Sequence, residues 1–387
     1  MRKVFSAIVA STVLAAGLTA CGSDSGSSDE VEIGILIPQS GDAAVTGRFM
    51  TDGAMAAVEE INAAGGINGK KIDAKIYDTV GDPQNGINAY KKFTSDGGKF
   101  AIVGFSAVVT AIGPLASRED VLLVNSGAPP FDAEAMGSHT IHTLNGQDHE
   151  MQCAADYAYD TMGTRKLGAI FADIAANRAG VESLSKDFEE KGGEVVGAES
   201  APQGSSDFRS VLTRLKRTNP DTVYVYTYGS DPGNILKQMK ELDFDAKTLM
   251  YSGAAVPQTI EVGGAAAEKS LYTAGLFDPS NTDPQTAAFL EAYKKVDPDS
   301  DPSSLGFYNA TLYDGVKMLA KAMEYVDDHG GDMNDPRTVE KAFYEVKTFE
   351  AATGTATYEE GDPIARKPFQ VLEVQGGKFL PIDTVEC

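Results

Sequence analysis

Few residues in this chain are equipped for chemistry, and their spacing argues against catalysis. The 387 residues contain three cysteines, at 21, 153 and 387, and four histidines, of which His139, His142 and His149 lie close together. Zinc sites need thiolates or imidazoles at short fixed intervals, such as Cys-x-x-Cys or two histidines four apart on a helix. No two cysteines and no two of these histidines have that spacing, and no cysteine is read as a neighbour of the histidines. They are therefore expected to be satisfied within the fold or turned to solvent, and no metal is expected. A Gly-x-Ser-x-Gly elbow, a phosphate loop and a dinucleotide Gly-x-Gly-x-x-Gly are all absent, which removes the common hydrolase, nucleotidase and dehydrogenase chemistries. The acidic runs at 297–301 and 327–335 lack the ligand spacing of a calcium loop and read as solvated loops. The chain is expected to be a binder without cofactor, not an enzyme.

The remaining reactive group is Cys21. Arg2 and Lys3 precede an apolar run from Val4 to Gly17, too short to span a bilayer, and Leu18-Thr19-Ala20-Cys21-Gly22 follows. This resembles the bacterial lipobox. The resemblance implies that 1–20 is a signal peptide, that Cys21 is acylated, and that the protein is exported and anchored by lipid to the outer face of the cytoplasmic membrane or to the periplasmic side of a membrane. Two or more acyl chains, at about 0.8 kcal/mol per buried CH₂, give stable anchoring. Residues 21–30 have almost no apolar content and read as a tether. The formal charge of −23 argues against nucleic acid and against anionic membrane surfaces as partners.

From about Val31 onward, short apolar strands alternate with amphipathic helices. Val31 to Pro38 is strand-like; Met50, Ala54, Ala57 and Ile61 recur at helical spacing and stop at Gly65-Gly66. Lys71 to Tyr77, Phe100 to Val103 and Val121 to Val124 are further strands. A second unit repeats the pattern, with strands at Lys166 to Phe171, Asp221 to Thr227, Thr248 to Tyr251 and Leu271 to Leu276, and a late strand at Phe369 to Val374. The reading is α/β, with parallel central sheets in two lobes. Ligands of open α/β sheets sit beyond the carboxyl ends of strands, so two such lobes imply a cleft.

The segments Ile61 to Lys71 (INAAGGINGKK) and Tyr77 to Pro83 (YDTVGDP), with Ser40-Gly41 after the first strand, carry a resemblance over essentially the whole chain from Val31. The chain resembles the branched-chain amino-acid-binding family of type I periplasmic solute-binding proteins. The resemblance implies two Rossmann-like lobes joined by a three-crossing hinge, with lobe 1 from 31–145 and 277–364 and lobe 2 from 146–276 and 365–387. Cys153 and Cys387 then share a lobe, and a disulfide between them is favoured. The resemblance also implies a monomer that hands a small molecule to an ABC permease, by family default a hydrophobic or branched-chain amino acid.

Carried over residue by residue, the ligand set is Phe105, Ser106 and Ala107 after the third strand, Ser126, Gly127 and Ala128 after the fourth, Asn177 where the family has a closing tyrosine, Tyr228, and Gly253 where it has the acid that pairs the α-ammonium. Arg48 is read as a possible partner for a ligand carboxylate, and Phe105, Phe277 and Tyr308 as apolar wall. With glycine at 253, a carboxylate or amide lacking an α-ammonium is the alternative ligand unless Asp231 or another acid moves in. The alternative class is a ligand sensor for a membrane partner.

Overall fold

The computed structural model describes residues 30–41, 43–130, 132–275, 277–279, 283–300, 306–385 and 387. The stretches expected to be signal peptide, acylated Cys21 and most of the tether lie outside the described residues. The first unit runs β1 (Glu30–Ile37), α1 (Ala44–Ala63), β2 (Lys71–Asp78), α2 (Pro83–Ser95), β3 (Phe100–Gly104), α3 (Ser106–Glu119), β4 (Leu122–Gly127) and β5 (Thr140–His142). The chain then crosses to a second unit: α4 (Gln147–Asp156), β6 (Lys166–Ala172), α5 (Ala175–Glu190), β7 (Glu194–Ala201), α6 (Arg209–Arg217), β8 (Thr222–Tyr226), α7 (Asp231–Glu241), β9 (Lys247–Met250), α8 (Pro257–Gly263) and β10 (Leu271–Gly275). It returns for α9 (Pro284–Val296), α10 (Phe307–Asp328), α11 (Pro336–Val346), β11 (Thr348–Phe349) and β12 (Ala356–Thr357), and crosses again for β13 (Phe369–Gln375) and β14 (Lys378–Val385).

Two separate sheets result. The first has order β2-β1-β3-β4-β5 and is parallel throughout. The second has order β14-β13-β10-β9-β8-β6-β7; its interior is parallel, and β13 pairs antiparallel with both neighbours. Strand order reverses between β2 and β3 around β1, and between β7 and β8 around β6. Those are the points where adjacent connections leave to opposite faces and open a crevice. This is the doubly wound α/β architecture expected from the alternation of strands and helices.

Burial explains the elements. In β1, Ile33, Ile35, Leu36 and Ile37 are fully buried, because helices cover both faces of a parallel sheet. Met50, Ala54 and Ala57 of α1 pack on the same core as Leu312, Val316 and Leu319 of α10. The α1 helix ends where Gly65 and Gly66 take positive φ, and the Gly66 N–H closes on the Ile61 carbonyl at 2.8 Å. A Cβ on Gly66 would lie 2.1 Å from the Lys70 carbonyl oxygen, so the turn into β2 admits no side chain there. Asp82 caps α2 by accepting the Asn85 N–H at 2.9 Å, with Pro83 at the first helical position.

All three clustered histidines are buried, which corrects the solvent-facing option. His139 lies between Glu340 and Asp120, the latter at 3.8 Å. The second correction concerns cysteine: Cys153 is one helical turn from His149 on α4, and its Sγ is 3.9 Å from His149 Nε2. Cys153 is bonded to Cys387, with Cα atoms 5.4 Å apart, so neither sulfur is a thiolate ligand.

His142 sits wholly inside, with Nδ1 2.9 Å from Asn125 Nδ2. The amide nitrogen only donates, so Nδ1 accepts and the ring is neutral. Burial drives its pKa down from 6.5 to about 4. The unfolded chain therefore binds the extra proton first. The stabilisation is complete above pH 6.5 and is lost as pH falls towards 4, at a cost of about 3 kcal/mol. Urea titrations at pH 7 and pH 4 should show this loss in the wild type, and His142→Gln should remove that share of the pH dependence. An unchanged slope in the variant would rule His142 out as its source.

Candidate functional site

The chain passes between the two sheets three times, and the passages are bonded to one another. Asn145 in the first and Lys367 in the third exchange bonds: Asn145 Nδ2 donates to the Lys367 carbonyl at 3.0 Å, and the Lys367 N–H donates to Asn145 Oδ1 at 2.7 Å. Gln370, just after the third passage, donates to the Gly275 carbonyl at 3.0 Å and the Phe277 carbonyl at 3.4 Å, at the second.

Against these passages lies a cavity of about 420 Å³, within the usual small-molecule range of roughly 300–1,000 Å³. Pro129 and Leu144 line it from the side of the first sheet, with Phe307 and Tyr308 from the start of α10. Tyr251, Ser252 and Gly253 line it from the turn after β9, and Glu150 from the first turn of α4. Phe277 and Phe369 add further aromatic wall. The two walls belong to different sheets, so a solute held here is covered from both sides.

Gly253, Phe277 and Tyr308 of the expected set line this cavity. Tyr228 stands one layer behind, edge-on to Tyr251 at 5.7 Å between ring centroids. Its hydroxyl donates to Asn177 Oδ1 at 2.7 Å, and Asn177 Nδ2 donates to the Tyr226 carbonyl at 2.7 Å. Asn177 is buried and spends both ends of its amide in fixing that aromatic group.

The residues from the first sheet are arranged otherwise. Phe105 takes φ +68°, a strained conformation for a side chain of this size, at the carboxyl end of β3. It turns the chain into α3, which places Ser106 and Ala107 at a helix N-terminus. Ser126 is buried under α10: its Oγ accepts from Thr143 at 2.9 Å, and a Cβ on Gly315 would lie 1.9 Å from it. Gly127 closes on Met50, whose Cε would be 2.9 Å from an added Cβ. Ala128 has both backbone groups bonded by the Asn125 side chain, N–H to Oδ1 at 3.1 Å and carbonyl from Nδ2 at 2.6 Å. Arg48 is exposed beside Asp52, 3.5 Å away, and is not among the cavity residues. Asp231 is buried at the start of α7, accepts the Gly204 N–H at 2.9 Å, and does not line the cavity either.

Two charged groups escaped the sequence reading. Glu150 is buried, and accepts from the Ser252 N–H at 2.8 Å, Ser252 Oγ at 2.9 Å and Thr273 Oγ1 at 2.6 Å. Burial pushes its pKa up and these donors pull it partly back. Lys367 is buried 3.7 Å from Asp314 of α10, with Nζ donating to Thr353 Oγ1 at 2.6 Å. Burial lowers the Lys367 pKa and raises that of Asp314, while their mutual attraction opposes both shifts. Neither could be found by periodicity. Glu150 reads as an ordinary acid in a helical first turn, and Lys367 follows Arg366 in what reads as a polar loop.

Comparison with known proteins accords with this geometry. The model of a periplasmic binding protein family matches residues 30–378. A Leu/Ile/Val-binding protein homolog from Brucella suis is 30% identical over 368 residues, covering 94% of each chain. A putative branched-chain amino acid ABC transporter structure from Rhodospirillum rubrum superposes with TM-score 0.78 at 21% identity, covering 91% of this chain and 100% of the other. A solute-binding protein of an ABC transporter from Rhodopseudomonas palustris, in complex with p-hydroxybenzoic acid, gives TM-score 0.72 at 19% identity and covers 92% and 97%. With two doubly wound sheets, a cavity at their junction and a match along nearly the whole described chain, this protein belongs to the periplasmic binding protein family.

Proposed function

We propose that the protein captures a hydrophobic or branched-chain amino acid between its two sheets and presents it to the permease of an ABC importer. The observation that carries this reading is the aromatic-walled cavity beside the passages, lined from both sheet-bearing units of the chain. Tyr251, Phe277 and Tyr308 supply apolar surface for a side chain. The N-terminus of α3, at Ser106 and Ala107, supplies a positive helix end for a carboxylate once the halves close. The Brucella suis relative's name supports the ligand class. In this proposal the lobes are 31–145 with 277–364 and 146–276 with 365–387, the protein works as a monomer, and acyl chains on Cys21 hold it outside the cell.

A second reading is a carboxylate or amide without an α-ammonium. It draws on the glycine at 253 and on the p-hydroxybenzoic acid complex of the Rhodopseudomonas palustris neighbour. A thermal-shift panel of amino acids, amides and aromatic and aliphatic acids separates the two. A ligand at a hundred times its Kd stabilises the native state by about 2.7 kcal/mol. Leucine, isoleucine or valine should give the largest rise in Tm. A rise with the acids alone would transfer the proposal to the second reading, and no rise with any compound would remove both.

A further inference from the structure

We propose that Glu150 receives the ammonium group of the bound solute, so that the cleft selects small molecules bearing a primary ammonium. This deepens the amino-acid reading above and rests on it. The carboxylate is 6% exposed and lines the cavity. Its contacts on the protein side are neutral, two hydroxyls and one backbone N–H, and no basic group enters its surroundings. A buried carboxylate with hydrogen bonds but no cation is incompletely balanced, and a cationic ligand group supplies what is missing. Its place in the first turn of α4 favours the ionised form.

The other charges point the same way. Among the described residues that line the cavity, Glu150 is the one charged side chain. Arg48 faces solvent beside Asp52, and Lys367 is held by Asp314. An anionic group placed near Glu150 would meet repulsion with no counter-charge on the cavity wall. The turn after β9 carries Ser252 and Gly253 and no acid of its own. The Ser252 hydroxyl and N–H hold a carboxylate that arrives from α4, and the Tyr251 ring fills the side of Gly253 where a side chain would stand. Glu150 also ties α4, the turn after β9 and β10 together, so a ligand bonded to it is bonded to the elements next to the first two passages.

The titratable groups facing Glu150 are the phenols of Tyr224 and Tyr226 on β8, and of Tyr228 and Tyr251. Burial raises all four, so they stay neutral across the working range. The Glu150 carboxylate is then the group that answers an arriving ammonium, and affinity should fall as the pH drops far enough to protonate it.

Calorimetry on the whole protein with L-leucine, 4-methylpentanoate and 3-methylbutylamine tests this. The wild type should bind leucine at least a hundredfold more tightly than 4-methylpentanoate. Glu150→Gln should weaken leucine about a hundredfold or more and should not weaken 4-methylpentanoate. If Glu150→Gln does not fold, Glu150→Asp keeps the charge one methylene further back, and should weaken leucine while keeping the preference over the acid. Leucine binding that is unaffected in the Gln variant, or a wild type that takes 4-methylpentanoate as well as leucine, overturns the role of Glu150 and leaves the solute-binding function standing. A wild type that binds none of the three overturns the amino-acid reading as well.

Discussion

Separating Cys153 from Cys387, by reduction or by Cys387→Ser, should lower the unfolding free energy by up to about 5 kcal/mol. The bridge joins α4 to the last residue of the chain across a sequence separation of 234. The chain-entropy account makes the benefit grow with the logarithm of the closed loop, which puts a loop of this size at about 5 kcal/mol. That figure is a ceiling, because β14 is an exposed edge strand and can fray locally once its end is free. Urea denaturation with and without reductant measures the change. A midpoint that does not move would show that the unfolded chain gains nothing from release of the crosslink.

Asp314→Ala should cost about 3–5 kcal/mol, the range seen when one partner of a buried pair is removed. The variant strands the Lys367 ammonium inside the protein. It also orphans the Ala352 N–H at 2.8 Å, the Thr353 N–H at 3.0 Å and the Thr353 hydroxyl at 2.5 Å, all of which the carboxylate accepts. Lys367→Met should be milder, since Asp314 keeps those three donors and the methionine fills the space. The order of the two losses is the check, read from denaturation midpoints of the single variants. A larger loss for Lys367→Met would show that the ammonium, not the carboxylate, organises this junction.

The sheet strands were the most legible part of the sequence. Val31 to Pro38 became β1, Lys71 to Tyr77 became β2, and Asp221 to Thr227 contained β8. β1 and β8 bury their branched and aromatic side chains, and β2 buries Ile72 and Tyr77 while leaving Ile76 exposed. β7 and β14 do not read as strands, because Gly197 and Ala198 interrupt the apolar run of β7 and most residues of β14 are exposed. At the site, Gly253, Phe277 and Tyr308 line the cavity. Ser126 packs against α10, and a serine at a strand end has the same sequence signature whether it faces a cleft or a helix. Glu150 was invisible for the opposite reason. Its role depends on Ser252 and Thr273, both over a hundred residues away in sequence, and no local pattern reports such a meeting.

The stitching of the three passages limits how this molecule can move. Segments that are mutually bonded side by side resist sliding past one another, because a slide would break the Asn145–Lys367 pair and the Gln370 bonds together. Twisting about their shared length disturbs those bonds far less. Rotation of one sheet unit against the other about that length is thus the motion that costs the fewest of these bonds.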